Sequence, residues 1–185
     1  MVKNIAIAAL TLLIATSSFR RPAPIYNLSK GSISFRSDAP LEIIKASSDE
    51  PRGVIQTEKK QFAFSVKIKS FKGFNSGLQK EHFNENYLES DKYPDATFTG
   101  KIIEDVDFGT DNTYDVRAKG ILNIHGVPQE RIIKSEMTIK KGVLTVKSIF
   151  TLLLADHNIP IPKVIHEKLA SVINVEVNVE LKSAN

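Results

Sequence analysis

An all-β protein is what this sequence predicts, its strands antiparallel and closed into a β-barrel in preference to a two-sheet sandwich. Three observations carry the expectation. Past residue 25 the apolar residues recur at every second position far more often than at helical spacing, the mark of strands with one buried and one wet face. The turns between successive runs are short and of turn-forming composition, so neighbours in sequence pair as hairpins. The clearest runs alternate over about ten residues, roughly 33 Å at the usual rise, which is long for a sandwich strand, and closing such a sheet removes its edges.

Taken in order, the chain opens with Lys3, an apolar run over residues 5–15 and the small residues Thr16, Ser17 and Ser18, the pattern of a secretory signal peptide over residues 1–18. The apolar run is too short to be membrane-spanning, because a bilayer core of roughly 30 Å takes about 20 residues. Cleavage is expected near Ser17 or Ser18, leaving residues 19–24 as a flexible leader to an exported domain over residues 25–183. Within that domain, residues 61–70 place Phe62, Phe64, Val66 and Ile68 on one side and Ala63, Ser65, Lys67 and Lys69 on the other. Residues 114–125 set Tyr114, Val116, Ala118, Gly120, Leu122 and Ile124 against Asp115, Arg117, Lys119, Asn123 and His125, with Ile121 the apolar exception. Residues 174–182 set Val175, Val177, Val179 and Leu181 against Glu176, Asn178 and Glu180. Weaker alternation over residues 32–37, 41–46, 53–57, 96–104, 131–140 and 143–155 brings the total to about nine runs. Lys141-Gly142 divides two long strands, and Gly126-Val127-Pro128 divides the two before them.

Two stretches read as short helices. Over residues 78–89, Ser76 and Gln79 have capping-box spacing, and Phe83 and Tyr87 share a face one turn apart. Over residues 164–173, after Pro160 and Pro162, Ile165, Leu169, Val172 and Ile173 fall on one stripe. The inward parity of the strands mixes the rings of Phe62, Phe64, Phe98 and Phe150 with Gly53, Gly100, Gly120 and Ala118. Such a mixture fits interdigitated packing or an apolar cavity.

With 42% apolar and 25% charged residues in a chain of 185, the composition is that of one ordinary globular domain. The net charge of +4 is scattered in short pairs, so no nucleic acid partner is expected. Having no Cys excludes thiol catalysis, thiolate zinc sites, iron–sulfur clusters, disulfides and lipid attachment at a cysteine. His82, His125, His157 and His166 form no HExxH and no pair four apart, and there is no GxSxG, P-loop or dinucleotide fingerprint. The expectation is therefore a protein that is not an enzyme, with no catalytic residue, no metal site and no cofactor. His125 reads as solvated or turn-bonded, His157 as locally hydrogen-bonded and His166 as exposed. His82, beside Phe83 on the first helix, reads either as structural or as pointing to the barrel mouth. Glu81, Glu85 and Glu89 make a solvated stripe on that helix.

Several separated motifs then come into register. They are Phe64-Ser65-Val66 leading to Ser70-Phe71, Glu81-His82-Phe83, and Tyr93-Pro94-Asp95-Ala96-Thr97-Phe98. They continue in residues 120–127, Gly-Ile-Leu-Asn-Ile-His-Gly-Val, and residues 156–162, Asp-His-Asn-Ile-Pro-Ile-Pro. In that order and spacing the chain resembles the YceI-like family of exported bacterial proteins, over residues 25–183. The resemblance implies a lipocalin-like barrel of eight antiparallel strands around a long apolar tunnel. It also implies a polyisoprenoid lipid ligand, of quinone or prenyl diphosphate type, carried or sequestered in the periplasm, with a homodimer left open. By the same resemblance, Phe64 and Val66 line the tunnel wall, and Phe71 sits at a rim bulge. His82, Phe83 and Tyr87 form part of the entrance, and Phe98, Leu122, Phe150 and Leu152 complete the lining. Two stretches depart from the pattern: Glu58-Lys59-Lys60 carry more charge than a buried strand holds, and residues 42–46 lack aromatic character.

Two other classes of function remain beside lipid binding. A lipid hydrolase or isomerase needs a titratable group inside the barrel, where the parity offers Tyr114 and His82. A structural or partner-binding protein needs only a barrel packed solid.

Overall fold

A computed structural model describes residues 23–165 and 167–184. The expected signal peptide over residues 1–18, leader residues 19–22 and His166 lie outside the described residues. The alternating runs become nine strand segments in one antiparallel sheet, and pairing of the first with the last closes it. Among the described residues the expected second helix does not form.

Strand β1 (Ile25–Asp38) is bent by a bulge between Leu28 and Lys30, and Gly31 follows at φ 148°. One edge of β1 pairs with β9 (Val172–Ala184), from Ile25↔Ala184 to Ser37↔Ile173. Its other edge carries both β2 (Ile43–Ser48) and β3 (Arg52–Gln56). These two share a single register: moving eight residues along β1, from Ile33 to Ile25, moves the partner eight residues, from Ser48 to Gln56. They are one strand broken at Pro51, which has no N–H to donate to a ladder. Below the break β3 pairs with β4 (Gln61–Lys67). Above it β2 diverges and meets the chain beyond β4 at the Ser47↔Lys72 bridge, reinforced by the buried Ser48–Ser70 hydroxyl contact at 2.6 Å. The barrel is thus eight strands round, with β2 as an extra segment that widens one wall.

From β4 the order is sequential through β5 (Asp95–Ile102), β6 (Asn112–Ile124), β7 (Val127–Lys140) and β8 (Val143–Leu153) to β9. Two hairpins use two-residue turns with both residues at positive φ, His125-Gly126 and Lys141-Gly142. The first of these lies one residue earlier than expected, and Val127-Pro128 belongs to β7. The charges at residues 58–60 fall in the β3–β4 turn, outside the strands.

Strand β4 ends at Lys67 and gives way to a 3-10 turn over Ile68–Ser70, so Phe71 reaches the interior after a helical turn and not through a bulge. Between β4 and β5, α1 (Gly77–His82) continues into a π-helical turn over Phe83–Tyr87, closed by the Leu88 N–H to the Phe83 carbonyl at 3.0 Å. Ser76 caps α1 by accepting the Gln79 N–H at 3.1 Å, as its spacing predicts. Residues 164–173 form a 3-10 turn over Lys163–Ile165 and then enter β9, because Val172 and Ile173 pair with Leu153 and Leu152 of β8.

The closed end is packed solid by Leu144, Leu181, Val179 and Ile55, each at most 1% exposed. Val106 and Phe108, in the loop between β5 and β6, cover this end. At one corner Gly100 and Gly120 face each other, and a Cβ on either would strike the backbone of the other strand. Phe64 likewise lies flat on its cross-strand partner Gly53.

Candidate functional site

Strand alternation points one face of every strand inward, and at the closed end those side chains meet. Higher up they do not, and a cavity of about 550 Å³ opens inside the barrel. Its floor is Met137 and Val146, and its wall is aliphatic and aromatic for most of its height. At the other end α1 and the residues around it form the mouth, where Glu42, Ser76, Gln79, His82 and Lys168 supply polar groups.

All ten residues singled out in the sequence line this cavity. Phe64 of β4 faces Phe98 of β5, which in turn faces Leu122 of β6, and Phe62 stacks tilted on Phe98 at 4.9 Å. Val66, one inward step above Phe64, belongs to a buried group with Ala46 and Phe71. Phe150 and Leu152 of β8 face the cavity beside Val175 and Ile173 of β9. Phe71 and Phe83 join Phe35 and Phe74 in a cluster of four rings, with Phe35 stacked on Phe83 at 5.2 Å and Phe74 tilted against Phe83 at 5.0 Å. Through that cluster the helix is held against β1. Tyr87 packs against Ile68, Leu88 and Ile159 on the other side, and burial raises the pKa of its phenol, which stays neutral. His82 is exposed at the mouth.

Phe35, Phe74, Met137, Gln79 and Lys168 also line the cavity and were not singled out in the sequence. Phe35 lay in a legible strand, but Phe74 lies in a loop where no period identifies an inward side. These two rings supply the aromatic character that residues 42–46 lack. The mouth is braced by hydrogen bonds from Gln79 Nε2 to Glu42 Oε1 at 2.9 Å and from Asn75 Nδ2 to the Ile43 carbonyl at 2.9 Å.

His125 and His157 are structural ties. His125, at φ 54° in its turn, donates from Nδ1 to the His157 carbonyl at 3.1 Å and from Nε2 to Glu89 at 2.9 Å when both nitrogens carry protons. Glu89 therefore ends a tie from the helical segment to the β6–β7 turn, whereas Glu81 and Glu85 are exposed as expected. His157 is 1% exposed and donates from Nδ1 to the Val127 carbonyl at 3.1 Å, a partner thirty residues away rather than a local one. Burial lowers its pKa, and its Nε2 makes no hydrogen bond among the described residues. Tyr114 spends its hydroxyl on the Asp107 carbonyl at 3.3 Å. Among the described residues no three His, Asp or Glu side chains converge to hold a metal ion.

The family model for the YceI-like domain matches residues 28–183. No curated protein matches the chain. Three solved structures share its architecture. A polyisoprenoid binding domain from Saccharophagus degradans, implicated in plant cell wall breakdown, is 16% identical with a TM-score of 0.71, covering 89% of this chain and 100% of that one. BcnA of Burkholderia cenocepacia is 11% identical with a TM-score of 0.68, covering 81% of this chain and 95% of its own. The YCEI protein of Campylobacter jejuni is 19% identical with a TM-score of 0.56, covering 99% of this chain and 94% of its own.

Proposed function

Because the chain belongs to the YceI-like family, we propose that its barrel holds a polyisoprenoid or similar long apolar lipid, of quinone or prenyl diphosphate type, for transport, storage or sequestration. The observation that carries this reading is the cavity of about 550 Å³, walled by rings and aliphatic side chains and open toward a polar mouth. A long isoprenoid is driven into such a space by about 0.8 kcal/mol for each methylene it buries. The ten residues Phe64, Val66, Phe71, His82, Phe83, Tyr87, Phe98, Leu122, Phe150 and Leu152 are its proposed contacts. A barrel of this kind selects by length and cross-section, leaving head-group discrimination to the few polar side chains it offers.

The protein acts in this reading as a binding protein and not as an enzyme. Of the two titratable candidates, Tyr114 is committed to the Asp107 carbonyl and His82 stands in solvent at the mouth. Export to the periplasm is part of the proposal, supported by the amino-terminal pattern of Lys3, the apolar run and Thr16-Ser17-Ser18. Among the described residues no helix is long and apolar enough to cross a membrane.

The test is native mass spectrometry of the purified mature protein, followed by solvent extraction and lipid analysis. One isoprenoid per barrel is the expected result, and the same spectrum reports whether the protein forms a homodimer. An empty barrel that also ignores added isoprenoids would overturn the proposal and favour a partner-binding protein.

A further inference from the structure

The cavity wall is interrupted near its floor by two hydroxyls. Ser135 of β7 and Ser148 of β8 are direct cross-strand partners, and their Oγ atoms meet at 2.6 Å. Both line the cavity, and Ser148 is only 8% exposed. One inward step below them the pair Met137 and Val146 forms the floor, and beneath that Ile139 and Leu144 are buried in the packed end. Their partners on the outer sides are Val116 of β6 and Val177 of β9, so the setting is aliphatic in both directions along the sheet.

Two hydroxyls bonded to each other use one of their two O–H groups. The second O–H makes no other hydrogen bond within the described residues. A donor left over in an apolar wall costs free energy until an acceptor reaches it. We propose that Ser135 and Ser148 form a deep polar subsite that takes an uncharged oxygen, a carbonyl or hydroxyl, carried by the end of the ligand that enters first. This rests on the lipid-binding reading and adds a direction to it: a neutral head goes to the bottom and the chain trails toward the mouth.

Charge decides against an anion at that depth. Lys168 and His82 line the opposite end of the cavity. Arg131, two inward positions further up β7, is engaged by the Thr151 carbonyl at 2.6 Å and by Asp156 at 3.6 Å and does not line the cavity. An ionised phosphate or carboxylate at the serines therefore lacks a counter-charge, and losing its hydration is not repaid.

The experiment compares tetradecanol, tetradecane and tetradecanoate as competitors for a fluorescent apolar probe on the whole mature protein. The same series is run on the double variant Ser135→Ala with Ser148→Ala. The expected result is that the protein binds tetradecanol about fivefold to tenfold tighter than tetradecane, the net worth of one hydrogen bond. Tetradecanoate is weaker than tetradecanol, and the double variant keeps tetradecane affinity but loses the preference. No preference in the native protein, or the same preference in the variant, would overturn the subsite. A second measurement is independent of the variant's folding: tetradecanol with a photoreactive diazirine at its methyl end should label the mouth, around Leu78 and Phe83. Label on Met137 or Val146 would overturn the proposed direction. Failure of all three probes to bind overturns the lipid-binding reading and the subsite with it, whereas tight tetradecane binding without discrimination overturns the subsite alone.

Discussion

Phe150 offers a clean separation of ligand binding from folding. Its ring lines the cavity yet belongs to none of the three buried clusters that hold the barrel together. Truncation to Ala therefore removes a contact made chiefly with the ligand. A large apolar side chain fully covered is worth roughly 1.5–3 kcal/mol, so Phe150→Ala weakens an apolar ligand by about tenfold to about a hundredfold. Phe150→Asp adds a carboxylate that either loses its water against the ligand or keeps its water and excludes the ligand. Binding at neutral pH should then fall below detection and return in part below about pH 4, where the carboxyl is protonated. Phe150→Asn, polar but uncharged, should fall between the Ala and Asp variants at neutral pH and show no such recovery. Because the ring is outside the packed clusters, stability changes by about 1 kcal/mol or less, and Tm by about 2–4 °C. The assay is displacement of a bound fluorescent apolar probe, with circular dichroism melting as the control for folding. An Asp variant that melts normally and binds as the native protein does would refute the placement of this ring against the ligand.

Two further predictions concern the scaffold. The folded state holds His157 neutral, with its pKa lowered below the ordinary 6.5 chiefly by burial. The unfolded chain therefore takes up the proton first, and the stability contributed above about pH 6.5 is lost progressively as pH falls toward the lowered folded value. Melting temperatures measured between about pH 7 and about pH 5 should decline, and the decline should be shallower in His157→Asn, which retains a donor for the Val127 carbonyl. Equal slopes for the two proteins would count against that assignment. At the barrel corner, Gly100→Val drives a side chain into the Lys119 carbonyl and Gly120. It should cost about 3 kcal/mol or more and lower Tm by about 6–12 °C, whereas a native melting curve would show that the two strands can separate there.

Most of the strand framework was legible because every long strand buries one face, and burial of one face writes alternation into the sequence. The first half of β1 was the exception. There the bulge between Leu28 and Lys30 and the turn of the backbone at Gly31 break the period that residues 32–37 then resume. The helix expected over residues 164–173 failed because Ile165, Leu169, Val172 and Ile173 satisfy a helical stripe by coincidence. The last two are claimed by a ladder with β8 that runs from Leu153↔Val172 to Val143↔Lys182. In the cavity, inward parity put Phe64, Phe98, Leu122 and Phe150 on the buried sides of their strands without any knowledge of which strands meet, and the family resemblance added Leu152 to the lining. Phe74 escaped notice because a loop has no parity, and the histidine ties did because the partners of His125 and His157 come from segments thirty or more residues away. The two serines were not singled out, because their significance depends on the cross-strand register that sets Ser135 opposite Ser148.

The pairing of β1 with β9 joins residues as far apart as Ile25 and Ala184, nearly the ends of the described chain. Loop closure over such a separation comes late in folding, after the local hairpins from β3 to β8 have formed. Until β9 arrives, one whole edge of β1 and the outer edge of β8 remain open, and the inward rings have no enclosed volume to face. During synthesis the chain can therefore accumulate hairpins but cannot complete a ligand-holding barrel before residues 172–184 are available. Binding competence and the finishing of the fold become one event, switched on when β9 closes the barrel onto β1.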